Sequence, residues 1–271
     1  MMRIVLFVVS LPLSSSLRPG ALPQNPIRSR EIHHSPMPHA TVGVDESGRG
    51  AIAGPLFCAA VWLPPEWSMR KAGVRVADSK DLSRQQRADA VVALEQTGVL
   101  FSVAAIGPKR IDEMANVTHA THETMTRAVR KLEKKLAAAG VLEAGSCWSL
   151  VDGNAVPSGL RGEYIVKGDQ KELCIAAASI VAKVHHDNAM RSVHRRLPKW
   201  SFGAHMGYGT KKHFELIAVH GASQEHRLTC SPFTRRAGKR AQYTKTKNLY
   251  DRIQLKTTGR KNRRARAAAR N

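Results

Sequence analysis

Two adjacent carboxylates, Asp45-Glu46, stand where a short apolar run ends and the turn Gly48-Arg49-Gly50 begins. Two further acids share that setting. Asp152 follows the apolar run Cys147–Val151 and precedes Gly153-Asn154, and Asp169 follows Tyr164–Val166 and Lys167-Gly168. In α/β sheets, ligands gather at the carboxyl ends of strands. If these strands are neighbours, four carboxylates converge on one spot. Bare carboxylates at such separations repel one another and hold protons, a conflict that a divalent cation removes. Oxygen ligands with no His or Cys among them select Mg2+ or Mn2+ over zinc. The chemistry implied is metal-assisted work on a phosphate-bearing substrate lying on the glycine turn.

Each acid has a plainer reading as well. Asp169-x-x-Glu172 fits a capping box at a helix start. Asp152 in Val-Asp-Gly-Asn fits an ordinary turn aspartate. Asp45 and Glu46 are harder to dismiss, but neighbouring strand residues face opposite ways. Both reach one site only if the strand bends, which Gly48 and Gly50 permit. A dinucleotide turn is a poor fit, because Gly48, Gly50 and Gly54 give GxGxxxG rather than GxGxxG. A second, basic and polar set comprises Arg49, Lys80, Lys167, Lys183 and Tyr208. The Tyr208 ring, in Gly207-Tyr208-Gly209, could stack on a sugar or base.

The whole chain points the same way. It has 271 residues with 43 Lys and Arg against 21 Asp and Glu, a net charge of +22. A surplus of that size implies a polyanionic partner, most simply nucleic acid. Residues 235–271 hold fourteen Lys and Arg against Asp251 alone, so the tail carries most of the excess. The four cysteines, Cys58, Cys147, Cys174 and Cys230, include no C-x-x-C pair and read as small, buried hydrophobes in a reducing compartment. His119/His122 and His185/His186 lack the i,i+4 spacing of a helical zinc motif.

Elements that would position the acids follow from the pattern. Val42–Glu46 and Gly54–Leu63 read as a hairpin and Val99–Ile106 as a third strand. Cys147–Val151 and Tyr164–Val166 complete the strand set. Ser83 caps a helix to about Gln96. Ile111 to about Ala139 is largely helical, a long helix runs from about Gln170 to Arg196, and Thr210 caps Lys211 to His220. Asp78-Ser79-Lys80-Asp81 is a polar loop, and Gly203–Gly209 is a glycine-rich one. Strands first and then alternating helix and strand predict an α/β domain with a mixed sheet.

The domain spans 41–234. Residues 1–40 form an Arg- and Ser-bearing extension whose apolar run, Ile4 to Val9, is too short to span a bilayer. It reads as an organellar, mitochondrial presequence, with a secretory signal or a plain extension as rivals. Cytoplasmic or nuclear residence is the alternative. Residues 235–271 form a basic tail expected to be disordered until it meets an anion.

Seven motifs stand in order along the chain: Val44-Asp45-Glu46-Ser47-Gly48-Arg49-Gly50, Asp78-Ser79-Lys80, Val151-Asp152-Gly153-Asn154, Lys167-Gly168-Asp169, Ala177-Ala178-Ser179-Ile180-Val181-Ala182-Lys183, Gly207-Tyr208-Gly209-Thr210 and Gly221-Ala222-Ser223. Together they resemble the ribonuclease HII (type 2 ribonuclease H) family. The resemblance implies a ribonuclease H-like α/β fold, with a mixed central sheet flanked by helices and a C-terminal helical region. It implies Asp45, Glu46, Asp152 and Asp169 as catalytic ligands of two Mg2+ or Mn2+ ions. It also implies Gly48, Arg49 and Gly50 as a turn that senses the ribose 2′-OH, which separates RNA from DNA. Lys80 would serve as a phosphate-side lysine and Tyr208 as a ring packed on the sugar at an RNA–DNA junction.

The implied activity is cleavage of the RNA strand of RNA/DNA hybrids and 5′ to ribonucleotides embedded in duplex DNA. The ends would be 3′-OH and 5′-phosphate, with roles in ribonucleotide excision repair and RNA primer removal. No membrane is involved, and a single chain suffices. The chain departs from the family pattern at His186-Asp187, where Arg-Asp is usual, and around Thr229-Cys230-Ser231. A binding protein on the same fold that has lost catalysis, or a ribosomal protein, would explain the charge but not the four acids.

Overall fold

The computed structural model describes residues 40–73, 76, 79, 81–142, 147–230 and 233. The extension expected over 1–40, apart from Ala40, and the tail expected over 235–271 lie outside them, as does Lys80. In chain order the elements are β1 (Thr41–Ser47), β2 (Leu56–Trp62), α1 (Met69–Ala72), α2 (Arg84–Gln96), β3 (Leu100–Ile106), α3 (Pro108–Met114), α4 (Val117–Ala138), β4 (Trp148–Asp152), β5 (Arg161–Ile165), α5 (Leu173–Arg196), α6 (Phe202–His205) and α7 (Lys211–His220). The strands form one sheet in the order β3-β2-β1-β4-β5. β1, β2 and β3 pair antiparallel, while β4 and β5 join parallel to β1. This is the mixed α/β sheet that the pattern predicts.

β1 is central and is covered on both faces. Val42 and Val44 face a core shared with Ala128, Leu132 and Leu136 of α4. The other face meets α5, whose small residues Ala176, Ala177 and Ala178 are fully buried. Close approach is possible because Gly43 has no side chain: a β-carbon there would stand 2.2 Å from the carbonyl carbon of Cys174. α5 is apolar almost all round because it is wedged between β1, β2 and α2. Of the four cysteines, Cys58 and Cys147 are buried and the other two half-buried, all as free thiols.

β3 is an edge strand, and α4 covers its open carbonyls. Arg127, Lys131 and Lys135 donate to the main-chain oxygens of Ala105, Val103 and Phe101 at 3.3, 3.2 and 2.8 Å. Four helical residues rise about 6 Å and two strand residues about 6.7 Å, so the two rows stay in step. Cations along an edge strand block pairing with another chain.

Local signals explain most boundaries. Ser83 and Gln86 form a reciprocal capping box at α2, and Thr210 caps α7. Four expectations shift. The helix expected from Ile111 is two helices, because Ala115 turns left-handed at φ 52° and Asn116 caps a fresh start at Thr118 and His119. The fifth strand lies at Arg161–Ile165, leaving Val166 exposed beyond it. Part of the loop expected over Gly203–Gly209 is helical, as α6. The long helix begins at Leu173, after a separate 3₁₀ turn over Gly168–Gln170.

Candidate active site

Strand register sets the first three acids. Val44 of β1 lies beside Val151 of β4 in parallel pairing, so the next step along each strand puts Asp45 beside Asp152. Parallel neighbours share a face, and strands lie about 4.8 Å apart. Asp45 is buried and faces α5, where the Ser179 hydroxyl favours its charged form. Glu46 faces the other way, and its Oε1 lies 3.6 Å from Nη1 of Arg49. The bend expected at these acids does not occur, because β1 continues its ladder through Ser47 opposite Phe57. The acids still influence one another across the end of the sheet.

Asp169 does not stand at the N-cap of the long helix, where the capping-box spacing would put it, but inside a short 3₁₀ turn ahead of it. Lys167 takes a left-handed turn at φ 56°, and the carbonyl of Gly168 accepts from the amides of Lys171 and Glu172. That closes a short turn of its own, and α5 starts afresh with Glu172 at its N-cap position. The turn docks on the end of β4: the Gly168 amide donates to Asp152 Oδ1 at 2.7 Å. Asp169, the next residue, is buried at 6% exposure. The structure therefore brings Asp169 to the strand end that carries Asp152, which in turn adjoins Asp45.

Electrostatics match an all-oxygen site. Burial pushes the Asp45 carboxyl well above the usual carboxylate range, and the charges of Glu46 and Asp152 add to that shift. Burial raises Glu46 too, with Arg49 opposing it. Asp45, Asp152 and Glu46 each lean on a proton-bearing group: Asp45 on the Glu46 amide at 2.6 Å, Asp152 on the Gly168 amide and Glu46 on Arg49. Among the described residues no three His, Cys, Asp or Glu side chains already stand grouped to hold a metal. The donor set fits a hard divalent cation, since buried, mutually repelling carboxylates gain most from one.

Beside the acids, Gly48 adopts φ 87° and is buried, while Arg49 and Gly50 are exposed. A β-carbon at Gly48 would stand 2.6 Å from Cδ2 of His186, whereas one at Gly50 would meet nothing within 4 Å. Gly48 is thus a packing glycine, and Gly50 leaves open backbone for a ligand. Tyr208 is brought to the same turn by an antiparallel bridge to Ala51, and the Gly207 carbonyl accepts from Ile52 and Ala53 at 2.9 and 3.3 Å. Lys183 Nζ lies 5.6 Å from the centre of the Tyr208 ring, and the His186 ring lies 5.9 Å from it.

The family model that matches the chain is that of ribonuclease HII, over residues 42–235. The chain belongs to the ribonuclease HII family. It is 39% identical over 196 residues to the ribonuclease HII of Endomicrobium trichonymphae, covering 72% of this chain and 86% of that one. It is 38% identical over 191 residues to that of Salinibacter ruber, covering 70% and 90%. Among solved structures, ribonuclease HII of Archaeoglobus fulgidus in complex with PCNA has a TM-score of 0.56 at 26% identity, covering 74% and 98%. Bst-RNase HIII in complex with Mn2+ has a TM-score of 0.57 at 18% identity, covering 74% and 70%, and shows the shared fold. Ribonucleases HII are hydrolases, nucleases that act on RNA/DNA substrates, and this chain is one of them.

The site also holds residues to which motif reading gave no role. Arg227 is fully buried and donates to the carbonyls of Gly54, Arg49 and Ala51 at 2.9, 3.2 and 2.9 Å. His213 donates to the Tyr208 carbonyl at 2.9 Å. Asp187 accepts from Lys183 at 2.7 Å and lies 3.7 Å from Arg87, which also donates to the carbonyls of Ser79 and Leu82. His186 supplies the imidazole against Gly48. Of these, His186-Asp187 carried a signal, as a departure from the family pattern.

Proposed function

We propose that this chain is an endonuclease that hydrolyses the phosphodiester 5′ to a ribonucleotide embedded in duplex DNA and cuts the RNA strand of RNA/DNA hybrids. The products are a 3′-OH and a 5′-phosphate. The observation that carries this reading is the adjacency of Asp45 and Asp152, which share a face of neighbouring strands beside the open Gly48-Arg49-Gly50 turn. Asp45, Glu46, Asp152 and Asp169 would hold the cations, Mg2+ or Mn2+; Mn2+ accompanies the ribonuclease HIII neighbour. Two such cations supply Lewis acidity toward the attacking water and charge compensation at the leaving oxygen.

The remaining roles belong to the chain itself. The Glu46 amide orients the Asp45 carboxylate, and the Ser179 hydroxyl favours its charged form. Gly50 offers its backbone where no side chain intervenes, which suits recognition of a 2′-hydroxyl. Arg49 is exposed beside it and suits a phosphate. Tyr208 packs on the deoxyribose at the junction, and Lys80 takes a phosphate. A single chain carries every one of these groups. Ribonucleotide excision repair and primer removal are the processes such an activity serves.

The test is a Mg2+-dependent nicking assay on a DNA duplex with one ribonucleotide, beside an all-DNA duplex. A single nick 5′ to the ribonucleotide, absent from the all-DNA control and lost in Asp45→Asn while duplex binding survives, is the expected result. Full activity of Asp45→Asn would overturn the site assignment. Binding of both duplexes without any nick would overturn the enzymatic reading.

A further inference from the structure

Along α5, Ser179, Lys183, Asp187 and Arg191 recur every fourth residue, forming one of the rows that wind slowly about a helix. The row starts at the candidate active site, where Ser179 reaches Asp45, and passes Tyr208 at Lys183. It ends among arginines. Arg87 of α2 lies 3.7 Å from Asp187, and the charges of Arg84 and Arg87 both bear on Arg191. Arg84 and Arg87 thus act on Arg191 together, and Asp187, the acid that opposes them there, already accepts from Lys183 at 2.7 Å. Guanidinium groups held so near one another repel.

Two details show that this cluster is more than a solvated face. Nε of Arg191 is buried without a hydrogen-bond partner, although its Nη1 donates to Asn188 at 2.6 Å. A buried donor left unmade costs about 1–3 kcal/mol. Arg84 is exposed at the first position of α2, with no carboxylate in ion-pair range among the described residues. A ligand with several acceptor oxygens and negative charge would answer the repulsion and the open donor together. Phosphate matches the guanidinium fork best.

We propose that Arg84 and Arg191, with Arg87 behind them, form a subsite for a backbone phosphate of the bound duplex, away from the bond that is cut. The inference rests on the nuclease reading above for the identity of the duplex. Twelve helical residues separate Ser179 from Arg191, a rise of about 18 Å. At about 3.4 Å per base pair, the phosphate lies roughly four to six nucleotides from the cut.

The test reads binding alone. The full chain, in EDTA, is titrated onto a fluorescein-labelled duplex with one central ribonucleotide, and phosphates are replaced one at a time by neutral methylphosphonates. Binding of the native chain should weaken at a position roughly four to six nucleotides from the ribonucleotide. Arg84→Gln/Arg191→Gln should weaken binding of the unmodified duplex about tenfold, lower the slope of log affinity against log salt by about two, and abolish sensitivity at that position. Arg84→Lys/Arg191→Lys should keep the salt slope.

A native chain with no sensitive position in that window overturns the subsite. So does a Gln pair that keeps the full slope, or a Lys pair that loses as much as the Gln pair, which would make the role structural. The nicking assay is scored separately. Failure to nick would overturn the function, whereas an unchanged salt slope in a nicking enzyme would overturn only the subsite.

Discussion

Arg227 donates from Nη1 to the main-chain carbonyl of Ala51 at 2.9 Å, across 176 positions of sequence. The same guanidinium holds Gly54 and Arg49, and His226 beside it bridges Ala53. The His226-Arg227 segment is therefore a clamp on the stretch that follows β1. The turn that would read the ribose is shaped by a residue far from it in sequence.

Arg227→Met should accordingly unfold more easily by about 3 kcal/mol or more, because it leaves three carbonyls without their donor. Urea denaturation measures this. Arg227→Lys cannot serve three acceptors in one plane and should recover only part of the loss. A Met variant as stable as the native chain would mean that water replaces the guanidinium.

The two glycines of the turn should separate cleanly. Gly48→Ala places a β-carbon against His186 at a φ of 87°, so stability should fall by about 1–3 kcal/mol. Gly50→Ala meets nothing in the free protein, so its melting temperature should hold while KM for a ribonucleotide-bearing duplex rises. Equal thermal losses in both would show that Gly50 is structural too.

Much of this was legible in the sequence. Asp45, Glu46 and Asp152 end apolar runs that are neighbouring strands, and the Ser83 capping box and Thr210 cap are local signals read one turn at a time. Other features depend on backbone or distance. Asp169 fits a capping box by spacing, but the left-handed Lys167 diverts the chain into its own turn first. Ala115, a good helix former, is left-handed where α3 ends, and nothing in its type announces that. The contacts of His186 with Gly48 and of Arg227 with Ala51 join distant segments, so no periodicity could reveal them.

Asp45 should trade stability for function. Its folded carboxyl is held above the ordinary carboxylate range by burial and by Glu46 and Asp152. The fold therefore favours the protonated form, and that stabilisation is lost as pH rises through the folded value. Asp45→Asn keeps the shape without the charge. In EDTA at neutral pH it should melt higher than the native chain by a few degrees, while its nicking disappears. A lower melting temperature would mean that the carboxylate has a cationic partner in the free protein.

The last prediction concerns the histidines behind Tyr208. The amide of Ser223 donates to Nδ1 of His226 at 2.8 Å, so the proton of His226 lies on Nε2. That proton is donated to Nε2 of His213 at 3.1 Å, and Nδ1 of His213 donates to the Tyr208 carbonyl. His205 stacks on His213 at 3.9 Å. The relay works only with neutral imidazoles. Burial, then the His205 and His226 charges, take His213 down to about 3, and burial takes His226 down to about 4. Both folded values lie below the unfolded value of about 6.5, so the unfolded chain takes up protons that the folded chain refuses. The stabilisation is whole above about 6.5 and drains away as pH falls toward about 4. Between pH 7.5 and 5 the two rings should cost together on the order of 3 kcal/mol of unfolding free energy. Urea denaturation at those two values should show that fall, and His226→Gln should flatten it. Stability that holds level or rises toward pH 5 would mean that these rings accept a proton in the folded protein.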